Sequence, residues 1–411
     1  MKPVLLYIDP GTGSMLFTIL IGIISTCVFF IQKLSLKIKF RLSGGKEAAA
    51  AEQDSLEYVI FSDSKRYWNT FKPICDEFEA RKIPVAYWTA SPDDPALNEK
   101  YEYVSCEFIG EGNKAFAKLN LMKADICLST TPGLDVYQWK RSDKVKWYVH
   151  IFHAVSEGIG YKMFGLDFYD AVLTTGELPE KRIRQLEKMR GLSEKELHRV
   201  GITYMDSMRE RLDKAEHEAH DIPTVLLAPS WGKSSILCRY GAKIIDALLQ
   251  TGYRIVIRPH PQSLTSDKEV IDPLMQKYPD GKQLSWDFSN DNFMILNEAD
   301  IMISDFSGVM FDFAFVFDKP LIYADTSFDS SIYDAAWIDE PMWLFQVLPS
   351  IGIPLSESGL NDIKATIDQA MKSEKMKESR TAARNLGWQN IGKSAEAAAD
   401  YLIEKHGELA G

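Results

Sequence analysis

Short apolar runs recur along this chain, and longer stretches with helical spacing fill the gaps between them. Tyr58–Ser62, Val85–Trp88, Tyr103–Ile109, Ile126–Ser129, Val145–Phe152 and Ala171–Thr174 are short, apolar and rich in β-branched and aromatic side chains, which predicts strands. Arg66–Arg81, Asn113–Lys123 and Pro179–Met189 read as helices between or after them. The pattern resumes with strands at Thr224–Ala228, Arg254–Arg258, Ile301–Ser304 and Leu321–Ala324, and helices at Ser234–Gln250, Val270–Tyr278 and Val309–Phe317. Apolar strands alternating with helices predict an α/β fold whose parallel sheets are covered on both faces. Such sheets place ligands at the carboxyl ends of their strands. The charged segment Glu194–Asp221 divides the two series into a first domain, 55–221, and a second, 222–411, which ends in further helices over Asp362–Lys405.

The pattern differs at the front. Met15–Ile31 holds no charge, and with Gly11–Ser14 it approaches the roughly 20 residues that cross a hydrocarbon core. A basic cluster follows, Lys33, Lys37, Lys39 and Arg41, with no convincing cleavage site. This predicts an uncleaved transmembrane anchor with its basic juxtamembrane segment over 1–42, a linker over 43–54, and the body of the chain on the cytoplasmic face of the cell membrane.

Charge sharpens the contrast. Residues 1–46 carry a net +5, whereas the 411-residue chain carries −11, so the remainder holds −16. An acidic body argues against nucleic acid as a partner. Five scattered cysteines without a Cys-x-x-Cys pair suggest neither a metal site nor a disulfide framework, and a reducing compartment suits them. His217 and His220, among acidic neighbours, read as part of a solvated helix face rather than a metal pair. No metal or other cofactor is expected.

The candidate chemistry sits at predicted strand ends. Ser304-Asp305-Phe306-Ser307-Gly308 joins the apolar run 299–303 to the helix Val309–Phe317. A helix start offers free N–H groups to a phosphate, the serines could add hydroxyl donors, and Gly308 allows close approach. Ordinary helix capping by the same residues is the alternative. Arg258-Pro259-His260-Pro261 follows another strand, and alternation would put Arg258 and His260 on one side, a clamp for a diphosphate. His150 and His153 also fall at a strand end, and His153 leads into the flexible turn Ala154–Gly158. A histidine there suits a general base near neutral pH.

The series Phe152-His153-Ala154, Gly201 with Asp206, Ala228-Pro229-Ser230-Trp231, Arg258-Pro259-His260-Pro261 and Ser304–Asp312 resembles the CDP-glycerol glycerophosphotransferases of teichoic acid synthesis, over about residues 58–400. The resemblance implies two Rossmann-like domains in the glycosyltransferase-B arrangement, with the donor held mainly by the second. It implies transfer of a polyol phosphate from a CDP-polyol to a hydroxyl of a lipid-linked or polymeric glycan acceptor, releasing CMP. His153 and His260 would be catalytic, and Arg258, Ser304, Asp305, Ser307 and Gly308 would bind the donor. Three departures stand out: Ala154 replaces a usual glycine, Gly308 a common serine, and Ile202-Thr203-Tyr204 lacks the usual proline and arginine. A nucleotide-sugar glycosyltransferase and a noncatalytic, membrane-tethered partner are the rival readings.

Overall fold

The computed structural model describes residues 55–215, 221–289, 291–324 and 329–411. The expected anchor, basic segment and linker, together with His217 and His220, lie outside the described residues. Among the described residues no helix is long and apolar enough to cross a membrane. Residues Leu56–Gly411 form one compact unit, and the account below concerns that unit.

Its first sheet contains β1 (Leu56–Ser62), β2 (Val85–Thr89), β3 (Val104–Phe108), β4 (Ala124–Ser129), β5 (Val145–Ile151), β6 (Ala171–Thr174) and β7 (Glu196–Arg199). They run parallel in the order β3-β2-β1-β4-β5-β6-β7. The second sheet contains β8 (Thr224–Leu227), β9 (Arg254–Ile257), β10 (Leu284–Trp286), β11 (Ile301–Ser304), β12 (Leu321–Ala324) and β13 (Gly352–Leu355), also parallel, in the order β10-β9-β8-β11-β12-β13. In each sheet the order reverses beside the first strand, between β1 and β4 and between β8 and β11. The loops leaving those strands diverge there and open a crevice.

Strand alternation explains why both faces are apolar. Val59, Phe61 and Cys127 enter one core, while Tyr58, Ile60, Ile126 and Leu128 enter the core on the opposite face. Likewise Leu226, Val256 and Met302 face one core of the second sheet, and Val225, Leu227, Ile255, Ile257, Ile301 and Ile303 face the other. A strand buried on both sides has no polar alternation to show, hence the continuous apolar runs.

Three features depart from the sequence expectation. The helix expected over 234–250 is broken into Ile236–Tyr240 and Ala242–Leu249 at Gly241, whose φ of +49° suits glycine. The helix expected from Val309 has only three α-helical residues, Val309–Phe311, before a π-helical turn over Asp312–Val316. Third, the helix Ser394–Ala410 leaves the second lobe: Ala398, Ala399, Tyr401 and Leu402 pack in the core of the first with Tyr58, Ile60, Phe71 and Phe78. Taking 222–411 as one lobe therefore misassigns this helix. Its apolar face is completed only by the first lobe, and each fully buried leucine-sized side chain there contributes about 1.5–3 kcal/mol.

A second crossing ties the lobes beside the crevice. Asp334 N–H donates to the Tyr161 carbonyl (2.9 Å) and Ala335 N–H to that of Ile159 (2.8 Å). The Asp334 carboxylate accepts from Phe164 N–H (2.8 Å) and Gly165 N–H (3.1 Å) and pairs with Arg190. Nearby the buried pair Arg182–Glu157 (2.8 Å) is extended by Glu340 to Arg182 (2.8 Å) and by the Trp343 N–H to Glu157. Removing one member of so buried a pair costs on the order of 3–5 kcal/mol, since a desolvated charge is left alone.

Candidate functional site

In the first lobe the site begins at the switch point. β1 ends at Ser62, and Ser64 caps the tight turn Lys65–Tyr67. That turn presents Arg66, an exposed side chain whose Nε donates to Ser64 Oγ (3.0 Å) and whose charge acts on the neighbouring Asp63 carboxylate. Tyr67 lies against the imidazole of His153, ring centroids 4.7 Å apart. His153 follows β5 directly, and Thr130 follows β4, its neighbour in the sheet. Thr130 Oγ1 and His153 Nδ1 are 2.8 Å apart. In the tautomer protonated at Nδ1, His153 donates to Thr130 and keeps a lone pair on Nε2. Burial, and then the Arg66 charge, hold its pKa down at about 4, so the ring is neutral at physiological pH.

His260 contributes from the second lobe. The N–H of Gln262 donates to its Nδ1 (3.1 Å), which leaves the proton on Nε2 as an outward donor. Burial, and again Arg66, lower its pKa to about 4. The indole of Trp231, at the end of the loop after β8, lies 6.4 Å from it. Arg66 thus acts on one histidine from each lobe.

The turn after β11 divides its residues between architecture and cleft. Ser304 is fully buried and its hydroxyl donates to the Ala228 carbonyl (2.6 Å), so it is not a free donor. Asp305 is nearly as buried, and its carboxylate accepts from the N–H groups of Ser230 (2.8 Å), Ile236 (3.0 Å) and Phe306 (2.7 Å). Burial raises its pKa against those donors. Both side chains are turned into the protein, where they hold the loop after β8 in place. Ser307 and Gly308 differ: neither their N–H groups nor the Ser307 hydroxyl makes a hydrogen bond among the described residues. Gly308 has φ −59°, so what glycine supplies here is room, not a left-handed backbone.

Arg258 is engaged as well. Its guanidinium pairs with Asp287 and donates to Ser289 Oγ (3.2 Å) and the Ser289 carbonyl (2.7 Å), bracing the segment after β10. Strand alternation ends at Ile257, so the inference that Arg258 and His260 share a side does not carry past β9. Gly201 and Asp206 also prove architectural. A Cβ at Gly201 would lie 2.3 Å from the Gln389 carbonyl, and Asp206 accepts from the Ser394 N–H (2.9 Å) at the start of the last helix. His150 is fully buried, its Nε2 3.1 Å from the Tyr161 hydroxyl and its Nδ1 unpartnered, with its pKa driven well down by burial. It belongs to an aromatic cluster with Phe152, Tyr161 and Tyr169.

Reading the sequence missed Arg66, Tyr67 and Thr130. Arg66 was assigned to the start of a helix, although the basic pair Lys65-Arg66 just beyond a first strand in a switch-point turn is the available signal. A cavity of about 250 Å³ lies where the lobes meet, bounded by His153 and Tyr161 on one side and by Phe306, Gly308, Phe311 and Trp343 on the other. A larger depression of about 630 Å³, beside Lys243, Asp246 and Glu357, contains none of the residues just described. Among the described residues no group of three or more His, Cys, Asp or Glu side chains is arranged to hold a metal ion.

Two doubly wound parallel sheets, with polar residues converging where their strands end, define an α/β protein of the glycosyltransferase-B type. Residues 169–339 match the family described as CDP-Glycerol:Poly(glycerophosphate) glycerophosphotransferase. The stretch contains His260 and the turn 304–308 and begins after His153. The minor teichoic acid biosynthesis protein GgaB of Bacillus subtilis (strain 168) is 33% identical over 100 residues, 23% of this chain and 10% of that protein. A structure of the wall teichoic acid polymerase TagF with CDPG is similar over 95% of this chain and 99% of its own, with TM-score 0.57 and 12% identity. The UDP-GlcNAc 2-epimerase of Methanocaldococcus jannaschii is similar over 85% of this chain and 100% of its own, with TM-score 0.55 and 13% identity. At these identities the likeness shows the fold alone.

Proposed function

We propose that this chain transfers a polyol phosphate, glycerol phosphate first among the candidates, from a CDP-polyol to a hydroxyl of a lipid-linked or polymeric glycan. The single observation that carries the reading is the meeting, across one cavity, of His153 from the first lobe and the turn at Gly308 from the second. The donor diphosphate rests on the unbonded N–H groups of Ser307 and Gly308, the Ser307 hydroxyl and the Nε2–H of His260, with Arg66 offsetting its charge. His153 Nε2 takes the proton of the acceptor hydroxyl. The acceptor oxygen bonds to the β-phosphorus, the bond from that phosphorus to the bridging oxygen breaks, and CMP leaves with the electron pair. Such chemistry depends on positioning and on stabilising charge spread over the phosphoryl oxygens. The first lobe thus serves the acceptor and the second the donor.

The uncharged span Met15–Ile31 and its basic flank support anchoring to the cell membrane, with the body on the cytoplasmic face where a lipid-linked acceptor would be reached. The test is incubation of the full chain with CDP-glycerol or CDP-ribitol in the presence of membranes, following CMP release. Release dependent on both donor and membranes is expected. Consumption of a UDP- or GDP-sugar with CDP-polyols untouched would instead favour a nucleotide-sugar glycosyltransferase, a reading kept alive by the epimerase's equal likeness in fold. Recovery of all the protein in the soluble fraction at low and high salt would sink the anchor.

A further inference from the structure

The cavity between His153 and Gly308 is unlike the rest of the cleft. Among the described residues no lysine or arginine lines it. Its one carboxylate, Glu157, is spent on Arg182 and on the Trp343 N–H. Most of the remaining wall is apolar, including Val155, Phe306, Phe311, Trp343 and Leu344. Phe311 and Trp343 stack, ring centroids 5.3 Å apart and planes 23° from parallel, and the Glu157 bond fixes the backbone at Trp343. The cavity is therefore a largely apolar, aromatic recess in which Glu157, Ser156 and the Tyr161 hydroxyl are already engaged and His153 stands at the edge. Arg66, whose charge reaches His153 at the cavity's edge, does not itself line the recess, so the cation lies outside its apolar part.

That separation discriminates between acceptors. A growing polyol-phosphate chain carries an anion one polyol away from its attacking hydroxyl. Burying that anion in a recess without a cation is unfavourable. A sugar ring has the complementary character: an uncharged body, one face of C–H groups suited to an aromatic wall, and hydroxyls at its rim. We propose that this cavity takes the acceptor as an uncharged pyranose, its C–H face on the Trp343 side of the wall, which Phe311 backs, and one hydroxyl at His153. The inference rests on the transfer reaction proposed above and adds the chemical class of the acceptor.

The experiment reads binding and turnover separately, on the full chain. Saturation-transfer NMR is run with a panel of methyl hexopyranosides and, separately, with an oligomer of glycerol phosphate. CMP release from CDP-glycerol is followed with each. A pyranoside should show saturation transfer and stimulate CMP release, and the oligomer should do neither. Trp343→Ala should weaken pyranoside binding about tenfold, the scale of one lost aromatic contact, and leave CDP-glycerol affinity unchanged. If Trp343→Ala does not fold, Leu344→Ala is read in its place, with a loss of about threefold expected from its smaller apolar contact. Trp343→Phe should retain most of the pyranoside affinity. Binding of the oligomer in preference to every pyranoside, or pyranoside binding indifferent to Trp343 and Leu344, would overturn the inference. Pyranoside binding without CMP release from any CDP-polyol would instead overturn the transfer reaction.

Discussion

Ala154 and Gly308 face each other across the crevice: a Cβ built on Gly308 would stand 4.0 Å from the Ala154 Cβ. These are two of the positions at which the chain departs from the pattern it resembles, where a glycine follows the first histidine and a serine occupies the turn. A methyl group has been gained on one wall and a hydroxymethyl lost from the other, at the same point of closest approach.

Gly308→Ser should therefore fold, because φ is −59° and 4.0 Å is an ordinary van der Waals contact. Its hydroxyl would add a donor beside Ser307. CDP-polyol affinity should rise by about 0.5–1.5 kcal/mol, the net value of one hydrogen bond. Weaker donor binding in a titration of the folded variant would show that this turn does not face the diphosphate.

The two histidines should separate kinetically. His153→Ala should lower turnover by about 10²–10⁴-fold with donor affinity nearly unchanged, as for a lost general base. His260→Ala should lower both turnover and donor affinity. Thr130→Val should mimic a milder His153→Ala, since the Nδ1 proton loses its acceptor and the tautomer with a free Nε2 is no longer favoured. Parental turnover in His153→Ala would remove the general base from the mechanism.

Arg66 yields a prediction in two observables. Arg66→Gln should cost about 1.5–3 kcal/mol of donor binding, as for a hydrogen bond to a charged group. It should also move the acid limb of kcat/KM upward. In the parent the free-enzyme histidines titrate at about 4, so the rate should hold from pH 7 to 5 and fall only below that. Removing a neighbouring cation makes each ring easier to protonate, so the variant's rate should fall at higher pH. An unchanged profile in a pH–rate series would separate Arg66 from both histidines.

His150 makes stability sensitive to acid. Its folded pKa lies well below the unfolded value near 6.5, so the unfolded chain binds the proton first. Its unfavourable contribution is absent above about pH 7 and grows as pH falls, at up to about 1.4 kcal/mol per pH unit. His150→Phe should lose a little stability at pH 7.5, where the contact with the Tyr161 hydroxyl is gone, yet show a flatter decline toward pH 5 in urea titrations. Parallel curves for variant and parent would disprove the effect.

The sheets were legible because burial on both faces leaves a signature in every strand, as in Ile301–Ser304. The edge strands β7, β10 and β13 were not, since Glu196–Arg199 is mostly exposed, β10 has three residues and β13 contains Gly352 and Pro354. The candidate site was legible in position but only partly in role. Ser304 and Arg258 look like ligand-binding residues in isolation. Their partners, the Ala228 carbonyl and Asp287, lie 76 and 29 positions away and become neighbours only through sheet order. Arg66 was hidden for the converse reason: its importance comes from two histidines that the topology delivers from distant parts of the chain.

The return of Ser394–Ala410 to the first lobe bears on how this chain is made. Tyr58 and Phe71 are among the first core residues of the unit to emerge during synthesis, yet their shared core waits for Tyr401 and Leu402, synthesised after all thirteen strands. The first lobe cannot reach its native packing one domain at a time, the usual vectorial route for long chains. Until the last helix arrives it exposes apolar surface, and a message truncated after residue 393 would leave the first lobe unfinished although all its strands had been made.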